Sequence, residues 1–287
     1  MNRWVSFGFI AVGVLLLAIA IVWLVAISRY RTRMSEAEVA WGDIAVRSAA
    51  DLPVFSPEMV VGLPEIARRY FTHAIASGTR ISTVVELKMT GSFLLGEMGK
   101  TQSYKMDARQ ILAPPQEFVW IAKMVNSPVT INGTDGLWQQ HGWTRFWMYQ
   151  SIPLVQIAAT KDLDRSAAMR PALEAIWAPA SLLPMNDVFW EQIGPDTAHI
   201  TFGAAADAHS IDMKLAADGR VIWVSAMRWS DANAVKTFQL QPFGAETGAE
   251  ATFDGYTIPS IVHAGNHFGT DTYFPFFNAQ INDAKFR

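Results

Sequence analysis

The chain contains no cysteine, so disulfides, thiol chemistry, lipoprotein acylation and cysteine-ligated zinc are all excluded. Charge is also scarce. Asp, Glu, Lys and Arg make up 17% of the 287 residues while 51% are hydrophobic, a balance that points to a membrane segment. Several catalytic signatures are missing too: no G-x-S-x-G nucleophile elbow, no P-loop, no dinucleotide fingerprint and no zincin motif. No catalytic residue, metal or cofactor is therefore assigned, and the chain reads as a non-catalytic protein.

What is present begins at Trp4. "WVSFGFIAVGVLLLAIAIVWLVAI", ending at Ile27, carries no charge. As a helix rising about 1.5 Å per residue it spans roughly 36 Å, enough for a hydrocarbon core of about 30 Å with some tilt. A secretory signal peptide has an apolar core of only about 7–15 residues. The triplet Ala26-Ile27-Ser28 is also a poor cleavage site, so an uncleaved single-pass anchor is expected. Arg3 stands on one side of the run and Arg29, Arg31 and Arg33 on the other, which by the positive-inside rule places residues 28–287 in the cytoplasm. These four arginines mask the charge of the remainder. Beyond residue 33, nineteen basic residues face twenty-six acidic ones, a net of −7. So acidic a domain offers no footprint for nucleic acid.

The organisation expected is an anchor with a basic flank over residues 1–33, a stalk and linker over 34–62, and an antiparallel β domain over 63–287. Ser35 precedes a helical "EAEVAW", and the stretch from Asp51 to Pro57 carries two prolines that interrupt a helix. In "LPEIARRYFTHAIASG", Pro64 suits a first helical turn, Gly78 suits the stop, and Ile66, Tyr70, Phe71 and Ile75 share one face. The period then changes from helix to strand. "ISTVVELKMT" and "SYKMDARQI" alternate, and "FVWIAKM" is apolar on both faces. Asp218-Gly219, Asp254-Gly255 and Thr134-Asp135-Gly136 read as hairpin turns. About nine consecutive strands joined by short turns predict a mainly β (α+β) fold, a curved antiparallel sheet or incomplete barrel. One helical insertion, residues 161–184, interrupts them. Asp164 is its expected N-cap, Pro171 the expected start of a second helix, and Pro179 and Pro184 close it. Its apolar segments would cover one face of the sheet.

The runs "LPEIARRYF", "TGSFLL", "FVWIAKM", "IWAPASLLP", "VFWEQIG", "DGRVIWVSAMRW" and "FDGYTIPS" together resemble an uncharacterised bacterial family. Its members pair an N-terminal membrane helix with a domain of unknown function. The resemblance is collinear over about residues 60–285 and rests on turns, strand aromatics and a proline-bounded helix. It implies no catalytic residues. It does imply a domain similar to the incompletely closed barrels of lipoprotein-carrier proteins, which hold acyl chains between a sheet and its covering helices. That similarity favours an extracytoplasmic domain on the bacterial inner membrane, against the arginine count, and leaves the side open.

Three constellations compete for a chemical role. His263 and His267 with Asp271 have ligand-like spacing, but on a strand residues four apart are about 13 Å apart. They read as ordinary strand and loop residues of "HAGNHFGTDTYFPFF", whose Phe274, Phe276 and Phe277 help close the core. Ser92, or Ser210 beside His209, could be assembled into a hydrolase site without any motif to fix it. The third is aromatic. Trp138, Trp143 and Trp147 lie close together in "GLWQQHGWTRFWMYQ", and Trp120, Trp223 and Trp229 lie on other strands. They could wall an apolar cavity, with His141 or Arg145 anchoring a polar headgroup at its mouth. The function expected first is thus a membrane-tethered β domain binding a lipid or other apolar ligand. The alternatives are a scaffold for a protein partner in a cell-envelope complex, and a hydrolase for a lipid-like substrate.

Overall fold

The computed structural model describes residues 3–47, 53–97, 99–205 and 208–287; the Asp51 part of the expected linker lies outside them. Three helices are present: α1 (Arg3–Ala45), α2 (Glu65–Ala74) and α3 (Lys161–Leu173). The first β run is β1 (Val85–Glu97), β2 (Lys100–Ala113), β3 (Glu117–Asn126), β4 (Val129–Trp138), β5 (His141–Met148) and β6 (Ile152–Ala158). After α3 and three short 3₁₀ turns between Glu174 and Asn186 come β7 (Val188–Gln192), β8 (Thr197–Phe202), β9 (His209–Leu215), β10 (Val221–Ser230) and β11 (Gln239–Thr247). A small hairpin, β12 (Glu250–Phe253) and β13 (Tyr256–Pro259), precedes β14 (Ile261–Asn266) and β15 (Phe274–Phe286).

Thirteen strands form one antiparallel sheet in the order β6-β5-β4-β3-β2-β1-β15-β14-β11-β10-β9-β8-β7. It is the open, mainly β architecture that the alternating pattern predicts. The long β15 joins the halves by pairing with β1 on one side and β14 on the other. Because β6 and β7 remain as edges, the sheet is not closed.

Side chains alternate across each strand, so the sheet has two distinct faces. One face carries Leu87, Met89, Met106, Phe118, Trp120 and Met124 into the main core. The segment from α3 through the 3₁₀ turns covers it with Ala172, Leu173, Ile176, Trp177 and Leu182. Trp177 Nε1 donates to Pro259 O at 3.0 Å and Trp190 Nε1 to Leu182 O at 2.9 Å, which satisfies both buried indoles. At the other end of the sheet, Ile66, Tyr70 and Phe71 of α2 are buried as their shared face predicts.

The opposite face is covered by the second half of α1. Ala37, Ala40 and Ile44, spaced on one helical stripe, pack on Val84, Ile111, Val119 and Trp143. Two alanines let the helix axis approach the strands closely. Polar contacts flank this seam. Trp138 Nε1 donates to Asp43 at 2.8 Å, Trp41 Nε1 to Glu86 at 3.2 Å, and Arg145 pairs with Glu36 at 2.7 Å. Arg109 stacks 4.5 Å above the Trp41 ring and pairs with Glu38. The helix runs unbroken through residue 33, so the apolar run and the packed stalk are one rigid rod.

Four expectations are corrected. Thr134-Asp135-Gly136 is not a turn but the interior of β4, which turns instead at Gln139 and Gln140, both at positive φ. Gly136 is needed there because the Trp143 ring lies across it on the neighbouring strand. Pro171 does not start a second helix; it sits in the last turn of α3, where its missing N–H costs one hydrogen bond before the chain tightens to 3₁₀. The N-cap is Thr160, whose hydroxyl accepts from Leu163 N, while Asp164 accepts from Gly142 N at 2.6 Å. Finally, among the described residues fifteen strands replace the nine expected.

Candidate functional site

Between the concave face and α3 lies a cavity of about 220 Å³. β1, β3, β4, β5, β10, β11, β14 and β15 all contribute to its wall. Phe93, Trp120, Phe146, Phe243, Phe276 and Phe277 supply aromatic surface, and Leu173, Ile176, Val224 and Val262 supply aliphatic surface. The aromatics are mutually packed: Trp120 lies 6.1 Å from each of Phe93, Phe146 and Phe277 between ring centroids. One glycine makes room for this wall: a Cβ at Gly133 would sit 2.7 Å from Phe146 Cγ.

Four charged side chains enter this apolar space. Arg170 of α3 pairs with Asp135 of β4 at 2.5 Å and with Glu174 at 2.8 Å. The remaining oxygens of both acids are also engaged: Thr144 donates to Asp135 at 2.8 Å, and Gln110 donates to Glu174. Burial alone pulls the Arg170 pKa down, but Glu174 and Asp135 outweigh it and hold it above the ordinary guanidinium value. Arg228 of β10 is treated differently. Its Nε donates to Ser166 O at 3.2 Å and its guanidinium stacks 5.0 Å from the Phe243 centroid. Among the described residues no carboxylate lies within ion-pair distance of it. Burial, reinforced by the charge of Arg170, lowers its pKa to about 10, so it stays protonated at neutral pH.

Of the eight residues expected to wall a cavity, Trp120 lines this one. Trp138, His141, Trp143 and Arg145 do come together, but on the other face, in a 260 Å³ cleft beside Glu36, Ala37 and Ala40 of α1. Trp147 meets Tyr30 edge-on at 5.2 Å. Trp223 packs on Phe268 at 5.7 Å, and Trp229 lies 3.9 Å under Arg165 while donating to Asp162. Parity explains the correction. Trp143, Arg145 and Trp147 occupy odd positions of β5 and face α1, whereas Thr144 and Phe146 occupy even positions and face the cavity. Both faces of β5 are apolar because both are covered, so its sequence does not say which is concave.

Sequence reasoning missed Asp135, Arg170, Glu174 and Arg228. A usable signal existed for the last: Val224, Ala226 and Arg228 share a strand face that is otherwise apolar. His263 and His267 are held apart, His263 Nδ1 against Asn278 Oδ1 at 2.7 Å and His267 Nε2 against Ala232 O at 3.1 Å. Among the described residues no group of three or more His, Asp and Glu is placed to hold a metal ion. Ser92 is near Asn278, and Ser210 lines a separate cleft with His199, His209 and Asp212.

A family described as a family of unknown function, DUF6544, matches residues 53–279. No curated protein matches the chain. Two solved structures are similar to it. A LolA superfamily protein from Nitrosomonas europaea aligns with a TM-score of 0.40 and 10% identity, over 77% of this chain and 92% of that one. A domain named for outer membrane lipoprotein sorting, from Vibrio parahaemolyticus, aligns with a TM-score of 0.38 and 11% identity, over 78% of this chain and 91% of its own.

Proposed function

The chain belongs to DUF6544, a family of unknown function, and from its cavity we propose a membrane-tethered β domain that binds a lipid or other apolar ligand between sheet and α3. The observation that carries this reading is the 220 Å³ of space left unfilled by an otherwise well-buried interior. Protein interiors pack to crystal-like density and leave few voids larger than a water. An apolar cavity of about 150 Å³ accepts benzene, so this one has room for about eight or nine carbon atoms in a row or ring. The scaffold alternative expects a filled barrel. The hydrolase alternative expects Ser and His at the cleft, and the lining contains neither.

The tether is α1. Its residues from Ile10 to Val25 are exposed and apolar, and the helix is long enough to cross a bilayer. The edge strand β6 presents Ile152, Leu154 and Ile157 about half exposed, a surface suited to the headgroup boundary of the same bacterial inner membrane.

The test is native mass spectrometry of the full chain released from its host membrane in nanodiscs, with solvent extraction of whatever is bound. A stoichiometric apolar adduct is expected. Ala264→Phe, which projects a ring into the cavity from β14, should remove the adduct while leaving the circular dichroism spectrum unchanged. An apo mass in repeated preparations, or an adduct that Ala264→Phe leaves in place, refutes the reading.

A further inference from the structure

We infer that the cavity selects amphiphiles carrying a single carboxylate, held by Arg228; this rests on the apolar-ligand reading above and adds the headgroup chemistry to it. The argument begins with the difference between the two cavity arginines. Arg170 is matched by two carboxylates, and every oxygen of those carboxylates already accepts a hydrogen bond from Arg170, Thr144 or Gln110. No hydrogen bond from that network reaches Arg228, on which Asp135 and Glu174 act only through space.

Arg228 nevertheless stands in the same apolar wall, among Phe243, Val224 and Phe276. The side chain is part-buried, and its terminal nitrogens are not buried, so they stay open to an anion entering the cavity. It is also oriented before any ligand arrives. Its Nε is tied to Ser166 O, and its plane rests on Phe243, which leaves the terminal nitrogens as the free end of the fork. A planar fork with two parallel N–H groups fits a carboxylate in a bidentate arrangement, and such charge-assisted pairs are the strong ones. Arg228 remains charged at neutral pH, so the attraction persists there.

The number of charges follows from the neighbours. Asp135 and Glu174 line the same cavity and repel any anion. One guanidinium offsets one negative charge. A dianionic phosphate monoester would bring a second charge beside two carboxylates with no cation to meet it. A purely cationic head would be opposed by Arg228 itself. The volume then limits the ligand's carbons, that of the head included, to about eight or nine, so a medium-length fatty acid, or the acidic end of a longer one, is the class that fits.

The experiment is isothermal titration of three isosteric probes, octanoate, 1-octanol and octylamine, into the full chain in phosphatidylcholine nanodiscs at pH 8, with empty nanodiscs as blank. Octanoate is expected to bind about tenfold or more tightly than octanol, the range for a hydrogen-bonded charged group, and octylamine more weakly than both. Arg228→Gln keeps a polar side chain of comparable reach and removes the charge. It should bring octanoate to within about threefold of octanol, while Arg228→Lys should retain part of the preference. Equal binding of octanoate and octanol, or a preference that survives Arg228→Gln, overturns the carboxylate inference but leaves an apolar site standing. If none of the three probes binds, both the inference and the reading beneath it fall.

Discussion

The Trp143 ring lies flat across Gly136 on the neighbouring strand, under α1. A Cβ at Gly136 would sit 2.5 Å from Cη2 and 2.8 Å from Cε2 of that ring, where carbon atoms normally approach to about 3.5–4.0 Å. The ring has nowhere to retreat. It is 8% exposed, packed beneath Ala37 and Ala40, and its Nε1 donates to Thr134 Oγ1 at 3.3 Å. Gly136→Ala therefore overpacks the seam and should cost about 1–3 kcal/mol. Trp143→Ala by itself should cost about 3–5 kcal/mol, from lost burial and the space left behind. In the Trp143→Ala background the clash is gone, and Gly136 has ordinary backbone angles that alanine tolerates. There Gly136→Ala should reverse sign and stabilise by about 0.4–1 kcal/mol, through the lower entropy of the unfolded chain. The four proteins form a double-mutant cycle whose coupling should be about 1.5–4 kcal/mol. Denaturant unfolding of the full chain in detergent, followed by far-ultraviolet circular dichroism, measures it. A penalty for Gly136→Ala that is the same with and without the indole would refute the account of β4.

Further outcomes follow from other contacts. Tyr256 is buried, its hydroxyl donates to Arg80 O at 2.6 Å and accepts from Ser82 N at 2.8 Å, and burial pushes its pKa up to about 12. The unfolded chain ionises near 10, so stability is intact below pH 10 and is lost as pH rises towards 12; between pH 9 and 11 this group should account for about 1–2 kcal/mol. Tyr256→Phe should flatten that slope in unfolding titrations, and an unchanged slope would disprove the assignment. Ile44→Ala should loosen α1 from the sheet at a cost of about 2–4 kcal/mol, read as faster amide exchange in β2 and β3 near Ile111 and Val119. Exchange rates equal to the unmodified chain would show that the seam contributes nothing. The full chain should stay in the membrane through carbonate extraction, and deletion of residues 4–27 should release it; a chain that washes off intact would remove the tether from the proposal.

Much of the architecture was legible because it follows from short-range physics. The uncharged run from Trp4 to Ile27 needs only its length and composition to read as a spanning helix. Alternation in "VELKMT" and "SYKMDARQI" needs only the two-residue period of a strand, and Asp218-Gly219 and Asp254-Gly255 turn where that pair turns best. The same rule failed at Asp135-Gly136 because long-range contacts prevail there: Arg170 holds the aspartate and the Trp143 ring requires the glycine. At Pro171 the rule failed for a milder reason, since a proline near a helix end removes one bond and breaks nothing else.

Composition and periodicity by themselves determined the long apolar N-terminal helix, the acidic balance of the remainder, the antiparallel class and the presence of many aromatic side chains. Only the tertiary structure decided which face those aromatics occupy. A strand specifies two faces by parity, but it does not specify which one is concave, and on β5 both are covered, one by α1 and the other by α3. The cavity depends on eight strands meeting at one place, and its charges depend on the register that sets Asp135 against Arg170 and leaves Arg228, among the described residues, without an ion pair. Those relations link residues far apart in the chain, and no local pattern encodes a distance across the sheet.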